Sequence, residues 1–98
     1  MNCDLPPKAI EGILRLCRSN PAVRRVILYG SRAKGCARYN SDIDLTLDAP
    51  DLSFRDLLAI EGQLDDLLLP WKIDLSLLHQ IENPALRDHI ERIGIELS

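Results

Sequence analysis

The sequence predicts an α/β (α+β) protein, a small mixed β-sheet with helices packed on one face. Two short segments alternate apolar and polar residues at strand spacing, DIDLTLD at Asp42–Asp48 and WKIDLSLL at Trp71–Leu78. A third run, VRRVILY at Val23–Tyr29, is rich in β-branched residues and ends at Gly30. Segments with apolar residues at helical spacing alternate with these runs along the chain.

Taken in order, Asp4 is placed to cap a helix that starts near Pro6 or Pro7, since proline is tolerated in a first helical turn. Ile10, Ile13, Leu14 and Cys17 form its apolar stripe, and Ser19-Asn20-Pro21 stops it. After the strand ending at Tyr29, Ser31 to Gly35 form a short helix or turn. Ala49-Pro50-Asp51 breaks the second strand. Ser53 caps a long helix running to about Leu68, with Leu57, Leu58, Ile60 or Ala59, Leu64, Leu67 and Leu68 as its apolar positions. Gly62 weakens its middle and Pro70 ends it. Asn83 caps a last helix with Pro84 as its first residue, and Leu86, Ile90 and Ile93 form the buried stripe. Within the strands, Ile43, Leu45 and Leu47 share a face, as do Trp71, Ile73, Leu75 and Leu77. Asp42, Asp44 and Asp74 fall on the opposite face, which must open onto something polar.

A chain of 98 residues makes a single domain, residues 1–98, with no room for a second one to hold a large substrate. The composition, 46% hydrophobic and 28% charged, is that of a folded protein. A net charge of -3 argues against a general nucleic-acid-coating role. The charge is uneven: Arg24, Arg25, Arg32, Lys34 and Arg38 lie in a stretch without acids, and acids crowd the chain from Asp42 onward. There is no charged-then-apolar leader and no apolar run long enough for a membrane span. Cys3, Cys17 and Cys36 are odd in number and lack CxxC spacing, so a reduced, cytoplasmic protein without a structural disulfide is expected. None of the three has a partner base that would mark a nucleophile.

The chemistry concentrates in YGSRAKGCARYNSDIDL, Tyr29 to Leu45. Asp42 and Asp44 at i and i+2 leave a strand toward the same spot, where two carboxylates repel and a cation relieves them. An oxygen-only donor set suits Mg²⁺ or Mn²⁺ rather than zinc. Asp74, on the polar side of a neighbouring strand, would complete a site for two ions. It could also take the proton of an attacking hydroxyl. A solvated strand face is the plainer reading of these aspartates, but aspartate is a poor strand former and two in one short strand make an odd surface. Gly30 permits a sharp turn after the first strand and close backbone approach to a ligand. Ser31 brings a hydroxyl and an N–H, and Arg32 and Lys34 bring positive charge for a phosphate tail. Gly-Ser alone is an ordinary surface turn, and GSRAKGC is no Walker loop. Its weight comes from the aspartate pair that follows.

Gly-Ser, a gap, Asp-x-Asp and a later strand aspartate together resemble the nucleotidyltransferase superfamily that includes DNA polymerase β. GSRAKG…SDIDL is most similar to the minimal nucleotidyltransferase (MNT) family, and the resemblance covers nearly the whole chain. It implies the polymerase β-type fold and ATP as substrate. It assigns the triphosphate to Gly30 and Ser31, metals to Asp42 and Asp44, and third-ligand and hydroxyl-activating duty to Asp74. Lys34 stands where many members carry arginine, which keeps the charge and loses the bidentate fork. The resemblance also implies a helical HEPN protein as partner, in a toxin–antitoxin pair where AMP is moved from ATP onto the toxin. The small size agrees with an acceptor brought by a partner or by a second copy of this chain. Two readings follow: a Mg²⁺-dependent nucleotidyltransferase acting on a partner protein, or a catalytically silent module that blocks its partner by contact. Transfer to a small molecule is a weaker third.

Other residues are read more plainly. His79 and His89 lie outside the strand pattern of the aspartates and are assigned structural or surface roles. Trp71 is read as core or interface and Tyr29 as core, Arg24 and Arg25 as solvated charges. Tyr39 and Asn40 could reach a base or ribose. The leucine excess of the long helix can mark a partner surface.

Overall fold

The computed structural model describes residues 5–35 and 41–97. The elements run α1 (Pro7–Arg18), β1 (Arg25–Tyr29), α2 (Ser31–Lys34), β2 (Ile43–Asp48), α3 (Phe54–Asp65), β3 (Ile73–Leu77), a 3₁₀ turn (Leu78–Gln80), α4 (Pro84–Ile93) and β4 (Ile95–Glu96). They build a four-stranded mixed sheet in the order β3-β2-β1-β4. β1 is antiparallel to β2 and β4, while β2 and β3 run parallel. The parallel pair follows from α3, which carries the chain from the end of β2 back to the start of β3.

Alternation decides the two faces. Val26, Leu28, Ile43, Leu45 and Leu47 are fully buried with Ile13 and Cys17 of α1 and Leu64 of α3. α1 and α3 therefore cover one face, as the sequence predicts. α1 lies close to the end of α3, where Gly12 admits the Leu67 methyls at 3.4–3.5 Å from where a Cβ would stand. α4 is different. Ile90 is buried and Gly94 abuts the Ile27 side chain, and Ile27 points away from Val26 and Leu28. α4 thus crosses the opposite face at the β1 side, and only part of that face stays open.

The caps explain the boundaries. The Ser53 hydroxyl accepts the Asp56 N–H at 3.1 Å and opens α3. Asn83 Oδ1 accepts the Ala85 and Leu86 N–H groups at 2.9 and 3.3 Å and opens α4. The expected Asp4 cap lies outside the described residues. α3 stops at Asp65 rather than Leu68, because Leu68 turns to φ 54°, which no helix accommodates. The last expected strand starts at Ile73, later than Trp71, and ends at Leu77. β4 was not expected: two residues give no readable period, and it is held by pairing with Ile27 and Leu28 and by the Leu97 N–H donated to the Val26 carbonyl at 2.9 Å. No helix among the described residues is long and apolar enough to cross a membrane.

Candidate active site

The site forms on the uncovered part of the second face, where the ends of β1, β2 and β3 meet. Tyr29 pairs with Asp44 across β1 and β2, and Asp44 pairs with Asp74 across β2 and β3. In-register residues of neighbouring strands project to the same side. The Tyr29 ring and both carboxylates therefore stand side by side, while Leu45 and Leu75 point into the core. Asp42 is exposed and just precedes β2, close enough to act on the charge of Asp44.

Asp44 is half-buried, and burial lifts its carboxyl above the ordinary 3.8. The charge of Asp74, then that of Asp42, pushes the same way, and a protonated His89 would oppose them. Burial also raises the Tyr29 phenol, and the charges of Asp44 and Asp74 add to that; a hydrogen bond with the Ser76 side chain works in the other direction. The strand thus holds ionised groups together at a cost, which a bound cation would remove.

Gly30 has φ 77° and ψ -157°, a conformation essentially reserved for glycine. A Cβ there would fall onto the Asp44 carboxylate, with Asp44 Cγ only 3.2 Å away. The glycine both turns the chain and leaves space for Asp44. Ser31 then begins α2, the Lys34 N–H is donated to the Gly30 carbonyl at 3.2 Å, and Gly35 closes the turn at φ 76°. Lys34 is exposed beside this turn.

Arg32, in α2, is held by contacts of its own. It is only 3% exposed, and its Nε and Nη2 are donated to the Ser41 carbonyl at 3.2 and 2.7 Å. Its guanidinium lies 4.7 Å from the centre of the Trp71 ring. Arg32 is thus a buried clamp holding α2, the residue before Asp42 and the approach to β3 together. A planar guanidinium suits this because it donates in its plane and stacks on its face.

His89, expected in a structural or surface role, makes structural contacts beside the site. Its Nε2 accepts the Gly30 N–H at 3.1 Å, and its ring meets Tyr29 edge-on at 6.3 Å. The signal in the sequence was its position in α4, between Leu86 and Ile90 of the apolar stripe. Reading it required knowing which sheet face α4 covers. His79 is exposed in the 3₁₀ turn. Tyr39 and Asn40 lie outside the described residues.

The donor set bears on the metal expected here. Among the described residues, no three His, Cys, Asp or Glu side chains stand as a group able to hold an ion. Asp44 and Asp74, two oxygen donors on adjacent strands, match what magnesium takes from a protein when waters and substrate phosphates complete its shell. The fit is to a shared substrate–metal site rather than a closed protein cage.

Comparison with known proteins agrees with this geometry. The family described as "Polymerase beta, Nucleotidyltransferase" matches residues 11–98. "Putative protein adenylyltransferase MJ1217" of Methanocaldococcus jannaschii is 32% identical over 87 residues, covering 84% of this chain and 88% of that protein. A second protein of the same name from that organism, MJ0126, is 34% identical over 70 residues, 70% of each chain. A solved toxin–antitoxin structure with AMP-PNP superposes with TM-score 0.75 at 27% identity, over 91% of this chain and 72% of that one. A complex of tri-AMPylated Shewanella oneidensis HEPN toxin with MNT antitoxin shares the fold, with TM-score 0.70 at 22% identity over 93% of this chain and 70% of that one. With the Gly30 turn seated against Asp44, and Asp44 against Asp74, this chain belongs to the polymerase β nucleotidyltransferase family.

Proposed function

We propose that this nucleotidyltransferase moves AMP from ATP to a hydroxyl of a partner protein, a HEPN toxin, and thereby acts as an antitoxin. The observation that carries the reading is the register pair Asp44 and Asp74 with Gly30 packed on Asp44. The relatives named as protein adenylyltransferases support the AMP and the protein acceptor. The toxin–antitoxin neighbours support the partner.

In this reading Asp42, Asp44 and Asp74 would hold Mg²⁺ or Mn²⁺, two ions, together with the triphosphate. Bound metal would neutralise phosphate charge and make the α-phosphorus a better electrophile. The Gly30-Ser31 turn receives the phosphate tail, and Lys34 adds positive charge beside it. Asp74, exposed at the strand pair's outer side, takes the proton of the acceptor hydroxyl. The acceptor oxygen forms a bond to the α-phosphorus, the α–β anhydride bond breaks, and pyrophosphate leaves. Arg32 acts from behind by fixing Ser41, the residue before Asp42. The domain, residues 1–98, brings the nucleotide machinery, and the partner brings the acceptor.

The test mixes the purified chain, Mg²⁺ and the HEPN protein with ATP labelled on the α- or the γ-phosphate. Label on the partner from α-ATP alone, absent with an Asp42→Ala/Asp44→Ala double variant, is the expected result. A partner that is captured and inhibited without label from any of the four nucleotides would leave a contact inhibitor.

A further inference from the structure

His89 lies on the side of α4 turned to the sheet, next to the buried Ile90. The β1 strand ends at Tyr29, and the next N–H, that of Gly30, is donated to His89 Nε2 at 3.1 Å. An accepting Nε2 carries no hydrogen, so this bond requires the imidazole proton to sit on Nδ1. The Tyr29 ring meets it at an interplanar angle of 77°, which fixes the plane of the imidazole.

Both peptide groups flanking the Gly30 Cα are thereby held. His89 fixes the one before it, and the Lys34 N–H, donated to the Gly30 carbonyl, fixes the one after it. Between them the chain must keep φ 77°, the conformation that brings the bare Cα of Gly30 against Asp44. A glycine without such restraint samples many conformations. The contact to His89 is also long-range in sequence, so it ties the last helix to the turn that follows the first strand.

We propose that His89 is a positioning residue for the nucleotide: as a neutral acceptor it holds the Gly30-Ser31 turn in the form that receives the phosphate tail. The proposal rests on the nucleotidyl-transfer reading for its ligand, but not for the bond itself. It also gives α4 a task beyond packing, since a shift of that helix would release the Gly30 N–H.

The experiment compares the wild type with His89→Gln, whose side-chain oxygen can still accept, and His89→Leu, which cannot. In ¹⁵N-labelled protein without nucleotide, the wild-type His89 should show the Nδ1–H tautomer. The Gly30 amide proton should exchange about tenfold faster in His89→Leu, in line with loss of one hydrogen bond, and remain near wild type in His89→Gln. Titration with Mg-ATP should show about five- to tenfold weaker binding for His89→Leu, with KM raised and kcat within about threefold, and recovery in His89→Gln. A wild-type Nε2–H tautomer, an unchanged Gly30 amide in His89→Leu, or wild-type nucleotide affinity in that variant would each overturn the proposal. If His89→Leu does not fold, the tautomer and the His89→Gln comparison still decide it. A wild type that binds no Mg-ATP while showing the Gly30 signature would instead count against the nucleotidyl reading and leave the hold on the turn standing.

Discussion

Asp44 and Asp74 are register partners on the parallel strands β2 and β3, and Gly30 presses on Asp44 from the end of β1. Three segments far apart in the chain thus converge on one carboxylate. The raised pKa of Asp44 follows from that convergence, first through burial and then through the charge of Asp74.

Asp44→Asn should separate function from stability. Transfer should fall by on the order of 10³-fold, because metal-type charge stabilisation is worth several kcal/mol. Without metal the variant should nevertheless be the more stable protein near neutral pH. A carboxyl raised in the fold binds more protons than in the unfolded chain, so stability declines as pH rises from 3.8 through the raised value and stays lower above it. Burial is the first cause of the raised carboxyl, so removing its charge should raise Tm at neutral pH. Thermal melts at neutral pH, and again below the ordinary carboxyl value where the gain should vanish, check the sign.

Gly30→Ala should lose transfer and also destabilise the fold. The left-handed φ alone costs about 1–3 kcal/mol, and the new methyl displaces the Asp44 carboxylate. Denaturant unfolding together with Mg-ATP titration separates the two effects: Ala at Gly35, where φ is 76° but nothing lies within 4 Å, should show the strain and spare nucleotide binding.

Arg32→Lys should destabilise by about 2–3 kcal/mol, since one ammonium cannot replace two donors and a stacked plane in a buried place. A double-mutant cycle with Trp71→Leu should give a coupling of about 0.5–2 kcal/mol. Additive effects would remove the clamp from the account.

The Cys17 thiol should resist modification in the folded protein. It is fully buried, and burial raises its pKa to about 11, so almost no thiolate exists at neutral pH. A thiol reagent should label it only as denaturant unfolds the chain, and labelling of the native protein at the unfolded rate would contradict the burial.

The legible parts of the sequence were those with a period or a cap. DIDLTLD and IDLSL announced their faces, and Ser53 and Asn83 announced their helices. What stayed hidden depended on tertiary choices. β4 is too short to show alternation, and its existence depends on β1 having a free edge. The side of the sheet taken by α4 cannot be read from the stripe of Leu86 and Ile90, which fits either face, so the contact of His89 with Gly30 could not be read either. In the sequence Arg32 is one cation among several, and its clamp cannot be read there. Its burial depends on Trp71 and Ser41, which only the fold brings to it.

The central claim is that the Asp44–Asp74 pair performs metal-dependent nucleotidyl transfer. It is tested most directly by a single-turnover assay with α-labelled ATP and the HEPN partner, run with and without Mg²⁺ on wild type, Asp44→Asn and Asp74→Asn. The account predicts label on the partner and stoichiometric pyrophosphate from the wild type with Mg²⁺ alone, and loss in both variants while the partner is still bound. Equal transfer by either variant, or by the wild type in chelator, would contradict it.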